Sequence, residues 1–237
     1  MNEHTVKSYE EELALLDKKI AQMGGLAEQL LGKSLEALER RDPKVAEEVV
    51  LSDRMIDNLE REIEEQVISM VARRQPMADD LRHIMGALRI TTDLERIGDL
   101  AKNIAKRVVA LNGEFPPPKL IRGVEHMTDL VLEQLKTVLD AYGRRDLVKA
   151  MAVWRGDEEI DAVCTSVFRE LLTYMMEDPR NITFCIHLMF CAKNIERMGD
   201  HATNIAETVH FMIEGQMLAD ERPKGDVTSE TRIPPKL

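Results

Sequence analysis

The chain has 237 residues, 44% of them apolar and 32% charged, with 43 acidic against 32 basic side chains and a formal charge of −11 at pH 7. This composition excludes a membrane-embedded chain and a wholly disordered one. The acidic balance argues against nucleic-acid binding, which leaves a basic footprint, and points instead to cations or basic partner surfaces. Aromatic residues make up only 4%, while methionines number 14, so the core is built from Leu, Ile, Val, Met and Ala, a mixture that suits helices better than sheets.

Six helices are predicted, near residues 5–40, 43–73, 77–111, 119–143, 147–176 and 179–214. Ile56, Leu59, Ile63, Val67 and Met70 form one apolar stripe. Ala87, Ile90, Leu94, Ile97, Ala101, Ile104, Val108 and Leu111 form another, stepping by three and four. No segment alternates with the period of a strand. Asp42-Pro43 and Asp178-Pro179 read as an N-cap followed by Pro at the first helical position, and Gln75-Pro76 separates two helices. Asn112-Gly113 ends a helix, and the prolines at 116–118 stiffen a linker. Residues 215–237 lack periodicity and read as a flexible tail. The N-terminal MNEHTVKSYEEEL has no apolar signal region. The most apolar run, residues 182–192, is about half of the ~20 residues a membrane span requires. Cys164, Cys185 and Cys191 show no CxxC spacing, which predicts reduced thiols and a cytoplasmic location.

The chain repeats itself. Residues 94–105 read LERIGDLAKNIA and residues 195–206 read IERMGDHATNIA, with eight of twelve positions identical. Upstream, Asp53-Arg-Met-Ile-Asp57 aligns with Asp157-Glu-Glu-Ile-Asp161, and Arg41-Asp42 with Arg145-Asp146. The simplest organisation is all-α: two tandem antiparallel three-helix bundles, residues 5–111 and 119–214, joined by the 112–118 linker. Gly98 and Gly199, Asn103 and Asn204 recur within the repeated helices, where packing alone gives a helix no reason to keep them.

The repeated carboxylates carry the chemical signal. Asp53 and Asp57, Glu95 and Asp99, Asp157 and Asp161, and Glu196 and Asp200 are each four residues apart, so each pair shares one helix face. So acidic a chain yields about three such pairs by chance; what carries information is that these four form two equivalent sets. At about 100° per residue, Glu95, Asp99 and Asn103 fall on the side of their helix away from the Ile97 stripe, while Asp53 and Asp57 flank the Ile56 stripe. Carboxylates with an Asn carbonyl make a hard oxygen site for Mg²⁺, Mn²⁺, Ca²⁺ or iron. The plainer alternatives are solvated acids, or acids paired with Arg96 and Arg197.

The doubled ERxGDxAxNIA signature with its upstream DxxxD helices resembles the PhoU family of phosphate-transport accessory proteins, over roughly residues 5–214. The resemblance implies a PhoU-like six-helix fold with a pseudo-twofold internal repeat, and a cytoplasmic regulator rather than an enzyme. It implies partnership with a phosphate ABC transporter ATPase and a phosphate-sensing histidine kinase, negative regulation of the phosphate-starvation response, and a homodimer. Membrane contact is then indirect, through those partners. It also implies metal ions (Fe, Mn, Mg or Zn) on Asp53, Asp57, Glu95, Asp99 and Asn103, and on Asp157, Asp161, Glu196, Asp200 and Asn204. Where the repeats differ, Lys102 against Thr203 weakens the first set, and His201 against Leu100 offers the second an extra ligand. Two other readings stand beside this one: a metal-dependent hydrolase on the carboxylates, and a helical scaffold without metal.

Other signals are weak. Gly32-Lys33-Ser34 lacks the upstream Gly of a phosphate-binding loop. Glu207-Thr-Val-His210 is an isolated ExxH whose repeat counterpart begins with Lys106. His83 and His187 lie in apolar contexts that predict packed or hydrogen-bonded rings.

Overall fold

The computed structural model describes residues 3–111 and 117–219. Residues 112–116 of the expected linker and 220–237 of the expected tail lie outside the described residues. Regular structure among the described residues is helical throughout: α1 (Glu3–Arg40), α2 (Pro43–Ser52), α3 (Arg54–Arg74), α4 (Asp79–Leu111), α5 (Pro118–Arg144), α6 (Leu147–Arg155), α7 (Asp157–Glu177) and α8 (Ile182–Glu214). A 3-10 turn at Pro179–Asn181 leads into α8.

The predicted all-α double bundle is the architecture, with one correction. The middle helix of each repeat is two helices, broken at Asp53 and at Gly156. At the first break the Asp53 carbonyl accepts from Ile56 N at 2.9 Å, a tighter turn than the α-helical register. At the second, Gly156 N is shared between the carbonyls of Ala152 and Val153. The two breaks place Asp53 and Asp157 at equivalent positions, each opening the helix that follows.

Helix ends repeat as well. Arg41 and Arg145 both adopt the left-handed conformation (φ 58° and 52°). The next residue's N–H then reaches back to Ala37 O at 3.0 Å and to Ala141 O at 2.9 Å, closing the two helices alike. Asp42 and Asp146 cap the following helices through their carboxylates.

Helices α1–α4 pack together, as do α5–α8, yet the widest contact among the described helices is between α4 and α8, with α1 also on α5. One continuous buried core therefore runs through both repeats, from Ile56, Leu94 and Ile97 to Ile160, Ile195 and Met198. Small residues permit the close crossings: a Cβ on Gly24 would lie 2.5 Å from Leu139 Cδ1. Gly98 and Gly199 do have a packing reason, contrary to the expectation from sequence. A Cβ would lie 2.7 Å from Ile56 Cδ1 at the first and 3.0 Å from Ile160 Cδ1 at the second. These glycines let α4 and α8 close onto the broken helices, so the repeated acids of both elements face one another.

Candidate functional site

In the first repeat the break at Asp53 buries its carboxylate at the start of α3, where it makes no capping hydrogen bond. Lys102, on α4, donates to it instead. The ammonium lies 2.5 Å from Asp53 Oδ2 and 2.5 Å from Asp99 Oδ1, so one cation bridges the two helices. Burial holds the Asp53 carboxyl above its ordinary value, with Lys102 offsetting part of the rise. Burial also pulls on Lys102, but its bonds to Asp53 and Asp99 outweigh this and keep it charged far above neutral pH. Glu95 is likewise raised, by burial first and then by Asp99, Asp57 and Asp53, with exposed Arg96 in opposition. Arg96 lies 3.3 Å from Glu95 and 3.8 Å from Asp99. The set thus assembles as a cluster of four acids. Glu60, raised by burial and then by Glu95, Glu64 and Asp57, extends it. Sequence reasoning missed Glu60, although it lies three residues from Asp57 on the same face.

The second set differs at its centre. Thr203 stands where the first repeat has Lys102; its hydroxyl donates to Gly199 O at 3.0 Å and lies 3.4 Å from Asp157 Oδ1. Asp157, Asp161 and Glu196 are all buried. Lys193, absent from the first repeat, reaches Glu196 Oε1 at 2.8 Å. The other oxygen, Glu196 Oε2, is buried with no hydrogen-bond partner. Burial pushes the Glu196 carboxyl up, Lys193 offsets part of this, and Asp200 and Asp161 push it further.

Asn204 and His201 turn elsewhere. His201 Nδ1 sits 2.8 Å from Asp93 Oδ1 on α4, and Asn204 donates to the same oxygen at 3.3 Å. His201 therefore serves the seam between α4 and α8 rather than the second acid set. Asn103 lines a cleft farther along that seam.

As they stand, no three His, Cys, Asp or Glu side chains among the described residues converge closely enough to hold a metal ion. The donor sets nevertheless fit a hard cation to different degrees. In the first set an ammonium already fills the position between Asp53 and Asp99. In the second, an orphaned carboxylate oxygen stands beside two further acids, with no lysine in Lys102's place. A buried polar atom without a partner is costly, and a cation is the species that would satisfy it.

Other expectations are met or revised. Cys164, Cys185 and Cys191 are buried and joined by no disulfide among the described residues. The His83 ring bridges Asp17 at 2.7 Å and Arg145 at 2.7 Å, as a packed, hydrogen-bonded histidine should. His187 is packed rather than hydrogen-bonded at Nδ1, which is buried without a partner. Glu207 accepts from Trp154 Nε1 at 3.1 Å. No helix among the described residues is long and apolar enough to cross a membrane.

The PhoU domain family model matches residues 20–108 and again 124–209. The chain is 57% identical over 226 residues, 95% of each protein, to the phosphate-specific transport system accessory protein PhoU homolog of Rhizobium meliloti (strain 1021). It is 52% identical to the homolog of the same description from Caulobacter vibrioides (strain NA1000 / CB15N), over 97% of this chain and all of that one. Its fold resembles the crystal structure of PhoU from Pseudomonas aeruginosa, with a TM-score of 0.84 and 37% identity over 88% of this chain and 100% of that one. It also resembles the phosphate transport system regulatory protein PhoU from Streptococcus pneumoniae, with a TM-score of 0.82 and 26% identity over 89% of this chain and 99% of that one.

Proposed function

Because the chain belongs to the PhoU family, we propose that it is a non-enzymatic cytoplasmic regulator of phosphate transport and signalling. In this reading it couples a phosphate ABC transporter ATPase to a phosphate-sensing histidine kinase and restrains the phosphate-starvation response when phosphate is plentiful. The transport-system relatives support this reading, as does a rigid double bundle with one shared core, suited to joining two partners rather than to turnover. A homodimer belongs to the same reading. Deleting the gene tests it: starvation genes switch on in phosphate-rich medium if it holds, and an unchanged response overturns it.

The same proposal places a hard cation, such as Fe, Mn, Mg or Zn, on the paired acidic motifs. Asp157, Asp161, Glu196 and Asp200 are the better suited set, and Asp53, Asp57, Glu95 and Asp99 the weaker. The observation that carries this is the buried, unpartnered Oε2 of Glu196 beside two other acids, with Thr203 rather than a lysine facing Asp157. A bound ion would neutralise like charges between α7 and α8 and tie the two helices together. Native mass spectrometry separates the possibilities. Bound metal that is lost in Glu196→Ala and Asp200→Ala supports the site, and zero stoichiometry in the wild type favours a metal-free scaffold.

A further inference from the structure

Along the seam of α4 and α8 lies a cleft of about 430 Å³ lined by Asn103, Lys106, Arg107, Ala110, His187 and Asn194. In a chain with a net charge of −11, no carboxylate among the described residues lines it. Two of its polar atoms, Arg107 Nε and His187 Nδ1, are buried without a hydrogen-bond partner. Arg107 is held in place by stacking on Phe190, 4.1 Å from the ring centroid. Burial lowers the proton affinity of His187, and the neighbouring Arg107 charge lowers it further. The cleft concentrates donors and the positive charge of Arg107 and Lys106, and its described lining supplies no carboxylate to receive them.

The internal repeat provides a control within the same molecule. Asn194 and Asn103 are the repeat equivalents of Asp93 and Asn204. At the Asp93 end of the seam the protein supplies its own anion, because the Asp93 carboxylate receives Asn204 and His201. At the Asn194 end that carboxylate is an amide, and the donors around it have grown in number. We infer that this cleft binds a phosphoryl oxyanion, with Arg107 and Lys106 supplying charge and His187, Asn103 and Asn194 supplying neutral N–H donors. A tetrahedral oxyanion offers several acceptor oxygens in different directions, which suits convergent Arg, Lys, His and amide donors better than a flat carboxylate does. The volume lies in the range of small-molecule sites, so the phosphoryl group can be free orthophosphate or the phosphate of a small metabolite.

The test uses full-length, chelator-treated protein labelled with ¹⁵N-histidine, so that an anion held by metal is not mistaken for one held by the cleft. The His187 imidazole signal, assigned with His187→Gln, is followed during titration with orthophosphate, with AMP and with chloride at constant ionic strength. Saturation by orthophosphate identifies the free ion, saturation by AMP alone identifies a phosphorylated metabolite, and chloride leaves the signal unsaturated. Removing a charged donor in Arg107→Gln weakens binding at least about tenfold. Asn194→Asp, an isosteric change that recreates the opposite end of the seam, abolishes binding and raises the proton affinity of His187. No saturable shift with either phosphate up to ~10 mM, or a shift indifferent to both Arg107→Gln and Asn194→Asp, overturns the inference.

Discussion

Lys102→Thr converts the centre of the first acidic set into that of the second. The ammonium removed donates to two carboxylates, one of them almost fully buried. A hydrogen bond to a charged group contributes about 1.5–3 kcal/mol, and stranding a buried charge costs about 3–5 kcal/mol. Lys102 and Asp99 retain some solvent contact, so screening reduces the sum, and we expect a loss of about 2–3 kcal/mol at neutral pH. For a chain of this size that lowers the melting temperature by roughly 4–12 °C. The loss depends on pH with a definite sign. Burial already holds the Asp53 carboxyl above its ordinary value, and without Lys102 it rises further. The folded state then takes up the proton before the unfolded chain does, so the variant recovers as pH falls through the folded value and is weakest above it. Thermal melts followed by circular dichroism in chelator, from neutral pH down to the carboxylate range, read this out directly. On the proposed cation reading, added Mn²⁺ should restore the variant more than the wild type, because no ammonium then competes for Asp53 and Asp99. A melting curve indistinguishable from wild type at pH 7 would show that Lys102 is merely solvated, and would refute the account of the first set.

Three further outcomes are expected. Glu196 is held above its ordinary value by burial and by Asp200 and Asp161, so its ionisation weakens the metal-free fold as pH rises through that value. Glu196→Gln should therefore melt higher than wild type in chelator at pH 7, with the gap closing toward acid. Tyr142 donates at 2.5 Å to Asp17, which also receives His83, so the three tie α5, α1 and α4 together. Tyr142→Phe should cost about 1–2 kcal/mol in urea unfolding, moderated by the partial exposure of Asp17. Burial pushes the Cys191 thiol up to about 12 and raises Cys185 as well, so a thiol reagent at pH 8 should label neither until the protein unfolds.

Much of this was written in the sequence. The stripes through Ile56 and Ile97 give helices their buried faces, and the doubled ERxGDxAxNIA segment gives the two-bundle plan. The breaks at Asp53 and Gly156 were hidden because the apolar stripes run through them in phase, so periodicity alone reads one helix where there are two. Lys102 against Thr203 was visible as a difference between repeats, but its meaning required α4 to lie against α3 closely enough for one ammonium to reach both. Asp93 and the turning of His201 toward the seam depend on contacts between distant segments, which no local spacing encodes, whereas Lys193, three residues before Glu196 on one helix, was within reach of a spacing argument. The glycines at 98 and 199 show the same limit, since the side chains they make room for, Ile56 and Ile160, lie about forty residues earlier.

The broad union of α4 with α8 has a consequence for size. A chain carrying only one of the two halves would leave that face, with its row of small and aliphatic side chains, open to water. Its cheapest remedy would be to pair with a twin through the same surface. The covalent tandem makes that pairing permanent and independent of concentration, and it frees each half to diverge: one bridges its acids across two helices with Lys102, and the other places Thr203 there and sets Lys193 on Glu196 from within the same helix.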